Sequence, residues 1–384
     1  MNSARTSKYF KPAVRRRSRW LQVMACVLGV GCADVAPETP RWRLTETMRL
    51  GGAESGPMSL DAVKGIDEGA DGRVYVYDQS TQDVRVFATD GTLIRVIGRV
   101  GAGPGELRNA EGIVVASDGR LWVRDAANAR FTIFGPDGVF ERSWSMRFCT
   151  SQGRWDARVD PTGRLVDEDC IVEGDRAVRV AVLAYHIDLS RVDTLRVKPE
   201  CGTAALAESG TWITRSPTRT SYRAIPFRAI YHSAVGPDGE VWCVPNSARY
   251  ELWRVGLATT DSVYVERRLS PLLVSSSERD SIIEEFEASG PTGLDFSRLP
   301  TVKPAIDRLE VDDRGRLWVR RSNADGSIAF DVFDRAGMLV GTATLSGYRI
   351  SLWRPFVVRG NNVYAVVLGE DDLQFVVRFR IEDA

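Results

Sequence analysis

The sequence predicts an all-β protein, a closed ring of six four-stranded antiparallel units, and three observations predict it. First, one short pattern returns six times: an apolar strand, a turn centred on Asp-Gly or Gly, then a strand of alternating aromatic and β-branched residues. It stands at Asp71-Gly72-Arg73-Val74-Tyr75-Val76, Asp118-Gly119-Arg120-Leu121-Trp122-Val123 and Thr162-Gly163-Arg164-Leu165-Val166. It returns at Asp238-Gly239-Glu240-Val241-Trp242-Cys243, Arg314-Gly315-Arg316-Leu317-Trp318-Val319 and Asn361-Asn362-Val363-Tyr364-Ala365-Val366. Second, the first two turn glycines lie 47 residues apart, and the later spacings are 44, 76, 76 and, to Asn361, 46. A period in the forties with four strands per unit marks a propeller blade, and the long spacings hold insertions. Third, the ends complement each other. The last unit has three strands before Ala384, and Trp42 to Leu50 reads as a lone strand near the start. One small sheet cannot bury both faces alone, so the units stack around an axis. The expected fold is a six-bladed β-propeller whose N-terminal strand completes the last blade and covers its open edge.

Residues 1–31 carry seven basic residues and no acidic one, and from Trp20 to Gly31 they are mostly apolar. A basic start followed by a short apolar run reads as a secretory signal, too short to span a bilayer as a stable helix. Without it the chain keeps 44 basic against 51 acidic residues, an acidic balance that argues against nucleic acid as a partner. Leu28-Gly29-Val30-Gly31-Cys32 resembles the lipobox of bacterial lipoproteins, in which the cysteine is lipidated; a plain signal peptide with a chance cysteine is the alternative. Residues 32–40 then form a polar tether, and residues 41–384 the ring. The expected address is the bacterial cell envelope, with Cys32 as the lipid anchor, or else secretion.

In the first unit, Ala62–Glu68, Arg73–Asp78, Asp83–Phe87 and Thr92–Ile97 are expected as strands a to d. Glycine in the connecting turns supplies the positive φ of a tight hairpin, and alternating aromatic and β-branched residues suit a pleated face packed on its neighbours. In the last unit, Pro355–Val358, Val363–Leu368 and Leu373–Ile381 supply strands a to c. Two d-to-a connections are long. Residues 202–223, rich in Thr, Ser and Arg, read as an extended loop. Residues 271–304 contain a helix start at Ser275-Ser276-Ser277-Glu278, a capping-box pattern, followed by Ile282, Ile283 and Phe286 at helical spacing. Both insertions belong on the rim that also carries the starts of the a strands, and long loops gathered on a rigid frame are where binding tends to sit.

Four cysteines follow the signal, an even number that fits one or two disulfides in an exported chain. Cys149, Cys170 and Cys201 are the candidates, as Cys149–Cys170 or Cys170–Cys201, while Cys243, in mid-strand, reads as a small buried hydrophobe. No cysteine has metal-ligand spacing.

At Gly101-Ala102-Gly103-Pro104-Gly105-Glu106-Leu107, Asp118 to Asp125, Pro226-Phe227 and Leu299-Pro300 through Trp318, the chain resembles the NHL-type six-bladed β-propellers. More narrowly, it resembles a group of bacterial envelope lipoproteins with that fold, over roughly residues 41–384. The resemblance implies a binding or scaffold module, since only a minority of such propellers are hydrolases or lyases.

Catalytic propellers work at the channel mouth, where the a strands begin. Lys64, Glu111, Trp155, Tyr231, Asp307 and Trp353 hold that position, with His232 and Arg354 beside it. Two readings stand: the ring plugs the channel by mutual pairing, or it holds a small polar ligand stacked on an aromatic ring. A calcium-dependent lactonase-type hydrolase is the alternative function, but the ring holds about as many cations as carboxylates, whereas calcium needs converging oxygens. Two histidines in the whole chain are too few for a zinc lyase site. No catalytic residue, metal or cofactor is therefore expected, with calcium entering only under the alternative, and the partner is a protein or small polar ligand bound by a monomer. Asp78 and Asp125, at equivalent strand ends, are expected to hold their own turns.

Overall fold

The computed structural model describes residues 39–384 except 54–55, 57, 146–154, 156, 174–175, 187, 189, 198–209, 216–219, 257–260, 290–292, 351–353 and 384, and, of 170–179, the backbone alone. Cys32 and the leader lie outside the described residues, as do Cys149, Cys201 and Trp353.

After β1 (Arg41–Gly51), the chain lays down its first blade as β2 (Val63–Glu68), β3 (Val74–Asp78), β4 (Asp83–Phe87) and β5 (Leu93–Ile97). The second is β6 (Ile113–Val115), β7 (Leu121–Asp125), β8 (Arg130–Phe134) and β9 (Phe140–Ser145). The third is β10 (Arg158–Val159), β11 (Leu165–Glu173), β12 (Arg176–Tyr185) and β13 (Val192–Val197). A hairpin, β14 (Thr211–Arg215) and β15 (Thr220–Ala224), precedes the fourth blade: β16 (His232–Val235), β17 (Val241–Val244), β18 (Glu251–Val255) and β19 (Ser262–Glu266). Helix α1 (Ser276–Ser289) precedes the fifth: β20 (Arg308–Val311), β21 (Leu317–Ser322), β22 (Ile328–Phe333) and β23 (Leu339–Leu345). The short β24 (Arg349–Ile350) leads to β25 (Phe356–Arg359), β26 (Asn362–Leu368) and β27 (Gln374–Asp383). Among the described residues no helix is long and apolar enough to cross a membrane.

Each blade is an antiparallel meander in chain order, and the last is completed by β1, which pairs antiparallel with β27 from Trp42↔Asp383 to Gly51↔Phe375. β1 does more than the sequence suggests. Its first residues, Arg41 to Arg43, also pair in parallel with Thr342 to Thr344 of β23, so one continuous sheet joins the fifth and sixth blades. Trp42 packs 5.7 Å from Trp318, and a Cβ on Gly341 would lie 2.6 Å from the Trp42 ring, so only glycine lets the two strands close over it.

The core is the set of faces between blades. Trp122, Trp242 and Trp318, equivalent in the repeat, are at most 1% exposed. Burying a side chain of that size contributes about 3 kcal/mol or more. The turn glycines Gly72, Gly119, Gly163, Gly239 and Gly315 all have φ between 74° and 87°, the conformation the hairpins require.

Two expectations need correction. Residues 202–223 are not simply an extended loop: Thr211 to Ala224 forms the β14–β15 hairpin, in which Thr211-Trp212-Ile213-Thr214-Arg215 turns Trp212 inward to 2% exposure and leaves Ile213 43% exposed. Cys243 is not merely a small buried hydrophobe. It is fully buried and disulfide-bonded, and every other cysteine side chain lies outside the described residues. Cys170 itself lies within β11, opposite Val180, in a hairpin that runs on to Glu173↔Arg176.

Candidate functional site

The strands β2, β6, β10, β16, β20 and β25 each open a blade. Counting back from the a–b turns through the strand pairing, Lys64, Glu111, Trp155, Tyr231, Asp307 and Arg354 fall at one level. Arg354 thus takes the position the spacing gives to Trp353, because the last a–b turn is shorter: Arg359 pairs directly with Asn362.

These residues do different things. Lys64 is half-buried, and burial followed by the charge of Arg354 holds its ammonium below the ordinary lysine range, with Glu111 pulling the other way. Glu111 is buried and ion-paired to Arg124 at 3.1 Å. Trp155 is packed rather than presented: it is 7% exposed, and its ring lies 5.3 Å from that of Phe131. Asp307 accepts a hydrogen bond from Ser322 at 2.8 Å, and burial raises its carboxyl above the usual range. Arg354 donates to the Val63 carbonyl at 3.1 Å and accepts from Arg308 through its own carbonyl. Tyr231 and His232 are part-buried where the chain enters β16.

Below this level the axis is crossed by charge pairs. Arg158 of the third blade reaches to the fifth, ion-pairing with Glu310 and donating to the Val311 carbonyl at 3.0 Å. Arg359 of the sixth blade pairs with Asp67 of the first at 2.8 Å, and Asp67 also accepts from the Val115 amide of the second at 2.8 Å. Between the levels lies a cavity lined by Lys64, Trp155, Arg158, Arg308, Phe356 and Arg359 among others. Its free space, mouth included, is about 340 Å³, and its enclosed part holds about one water-sized sphere. Arg158 and Arg359 went unseen in the sequence; the only signal was arginine on an otherwise apolar inner strand.

The equivalent arginines Arg124 and Arg320 serve the blade junctions. Arg124 of the second blade lies 3.2 Å from Asp167 and 3.5 Å from Asp169 of the third, in addition to Glu111. Burial pushes the Asp167 carboxyl up to about 7, against the attraction of Arg124. Arg320 donates to the Ile350 carbonyl at 3.1 Å. Asp78 and Asp125 hold turns and linkers: Asp78 accepts from the amides of Asp61, Ala62 and Ser80, and Asp125 from the amide of Arg108 at 2.7 Å.

The second feature of this rim is a cap made by both insertions together. Trp212 of the hairpin sits 5.2 Å from Phe286 of α1 and 5.6 Å from Phe296, and its indole N–H donates to the Asp295 carbonyl at 2.9 Å. Ile225, Leu299, Ile282 and Ile283 complete a core separate from those between blades. The helix begins with a formed capping box: the Glu278 amide donates to Ser275 Oγ at 3.2 Å, and Glu278 Oε2 accepts from the Ser275 amide at 3.0 Å. Arg298 donates to the Thr211 carbonyl at 3.1 Å, stitching the two segments. The chain runs on from the hairpin to β16 and from the helix to β20, two of the strands that open blades. Ile213 and Tyr222 face each other across the hairpin at 43% and 68% exposure.

A family model described as a 6-bladed beta-propeller matches residues 63–152. No curated protein sequence matches the chain. Among solved structures, a member of the DUF4221 family from Bacteroides vulgatus matches with a TM-score of 0.52 at 12% identity, covering 90% of this chain and 100% of its own. A virginiamycin B lyase from Staphylococcus aureus matches with a TM-score of 0.45 at 11% identity, over 88% and 99% of the two chains. A gluconolactonase from Xanthomonas campestris matches with a TM-score of 0.45 at 12% identity, over 84% and 87%. Likeness at these identities bears on fold alone. With its four-stranded antiparallel sheets in ring order and the matched segment over the first two blades, the chain is a six-bladed β-propeller.

Proposed function

We propose that this protein is an exported, envelope-tethered propeller that works as a binding or scaffold module and engages a protein partner through the cap. The carrying observation is that two insertions 47 residues apart, from Ala224 to Pro271, fold onto one another around Trp212 instead of trailing as separate loops. A loop pair with its own buried core holds a fixed surface, and a fixed surface lowers the ordering cost of binding. The exposed Ile213–Tyr222 pair gives that surface an apolar centre. Export is supported by the basic-then-apolar leader and by the disulfide at Cys243, since such bonds persist in oxidising compartments. The hydrolase alternative has less support, because the axial cavity is lined by Lys64, Arg158, Arg308 and Arg359, and a divalent cation would meet repulsion there.

The test is in-cell crosslinking from a photoreactive residue at position 213. A discrete partner adduct that disappears in Tyr222→Glu, with the melting temperature unchanged, is expected. An adduct pattern identical in the variant overturns the cap as the contact surface. Stabilisation of the purified protein by millimolar calcium would put the hydrolase alternative ahead of the binding reading.

A further inference from the structure

We infer that the axial cavity is an anion site that takes the head of a carboxylate or phosphate between Lys64 and the arginines of its floor. The cavity shares no lining residue with the core of the cap, so this site does not depend on the cap's role.

Three observations carry it. Four cationic side chains, Lys64, Arg158, Arg308 and Arg359, line the cavity, and no Asp or Glu is among its described lining residues. The lower arginines are engaged from beneath: Glu310 meets Arg158 and Arg308, and Asp67 meets Arg359. These carboxylates fix the arginine forks as a rigid floor. Lys64 is different. Its ammonium makes no hydrogen bond or ion pair with any described residue, although the lysine is part-buried. Its natural counter-charge, Glu111, is held by Arg124, and the neighbouring charge it feels next after burial is the like charge of Arg354. Lys64 and the arginine floor face one small space and repel, and a bound anion turns that repulsion into attraction for each of them. In a partly desolvated cavity such charge-assisted hydrogen bonds are among the stronger ones available. The size limit follows from the geometry: the enclosed space holds about one water-sized sphere, so one oxygen of the anionic head enters it and the rest of the head and ligand stand in the mouth.

The chemistry recognised is the anionic head, and carboxylate and phosphate are separated by the experiment. Isothermal titration of the full folded protein is run with inorganic phosphate and, separately, with glucuronate, each against sodium chloride at matched ionic strength. Saturable binding of one of the two is expected, weakened at least tenfold in Lys64→Met and retained in Lys64→Arg. Phosphate without glucuronate assigns a phosphate head; glucuronate without phosphate assigns a carboxylate. Arg308→Gln, at a second lining cation, provides another variant, so loss of binding does not rest on one substitution, and circular dichroism confirms that each variant is folded. Equal binding by Lys64→Met and the parent, or no saturable binding of either anion by the parent, overturns the proposal.

Discussion

Asp167, Asp169 and Glu111 crowd one guanidinium, that of Arg124, at the junction of the second and third blades, and all four residues are buried. Burial disfavours the charged carboxylate of Asp167, and the attraction of Arg124, shared among three carboxylates, offsets this only in part, so its carboxyl is pushed up to about 7 from the ordinary 3.8. The groups facing it are Arg124, Asp169 and, from β12, Tyr185, whose own hydroxyl is driven well above the usual range by burial and then by Asp167. Because the folded value lies above the unfolded one, the contribution is fully present below about 4 and is lost as pH rises through about 7. Melting temperature measured from pH 5.5 to 8.5 should therefore fall by about 2–4 °C from this group. Asp167→Asn should remove that slope, and an unchanged slope in the variant would refute the assignment. Residue-level legibility followed sequence distance. Lys64, Glu111 and Asp307 could be placed from spacing alone, whereas the pairing of Arg158 with Glu310 joins residues 152 apart and left no trace in local pattern.

At the level of elements, strands were the most legible, because alternating residues and turn glycines act within a few positions of each other. β2 to β5, β25 to β27 and the capping of α1 were all written locally. The β14–β15 hairpin was not, since its organising contact runs from Trp212 to Phe286 and Phe296 of the other insertion. The cap core is small, so Trp212→Ala should cost about 3–5 kcal/mol of local stability, as large-to-small core substitutions do. Hydrogen exchange should show residues 211–224 and 276–289 losing protection together while β2 to β4 keep theirs. Loss confined to the hairpin would mean the two insertions do not fold as one unit.

At the scale of the whole molecule, the ring depends on β1. A chain beginning after Gly51 would uncover the edge of β27 and the face of Trp318. An open strand edge beside apolar surface invites association between chains. Such a truncation should aggregate and lose cooperative unfolding, as read by sedimentation and scanning calorimetry; a monomer with the parent transition would show that closure lies elsewhere. The ring order was visible in the sequence because the sixth unit lacked an outer strand, but the parallel contact of β1 with β23 was not, as three residues carry no period. That contact has a mechanical meaning. Trp42 and Arg43 are clamped on both sides, by Ala343 and Thr344 and by Asp383 and Glu382. A pull on the chain along the axis of β1 must break two rows of hydrogen bonds in shear at once, so a leash attached ahead of Arg41 would transmit load into two blades without peeling either open.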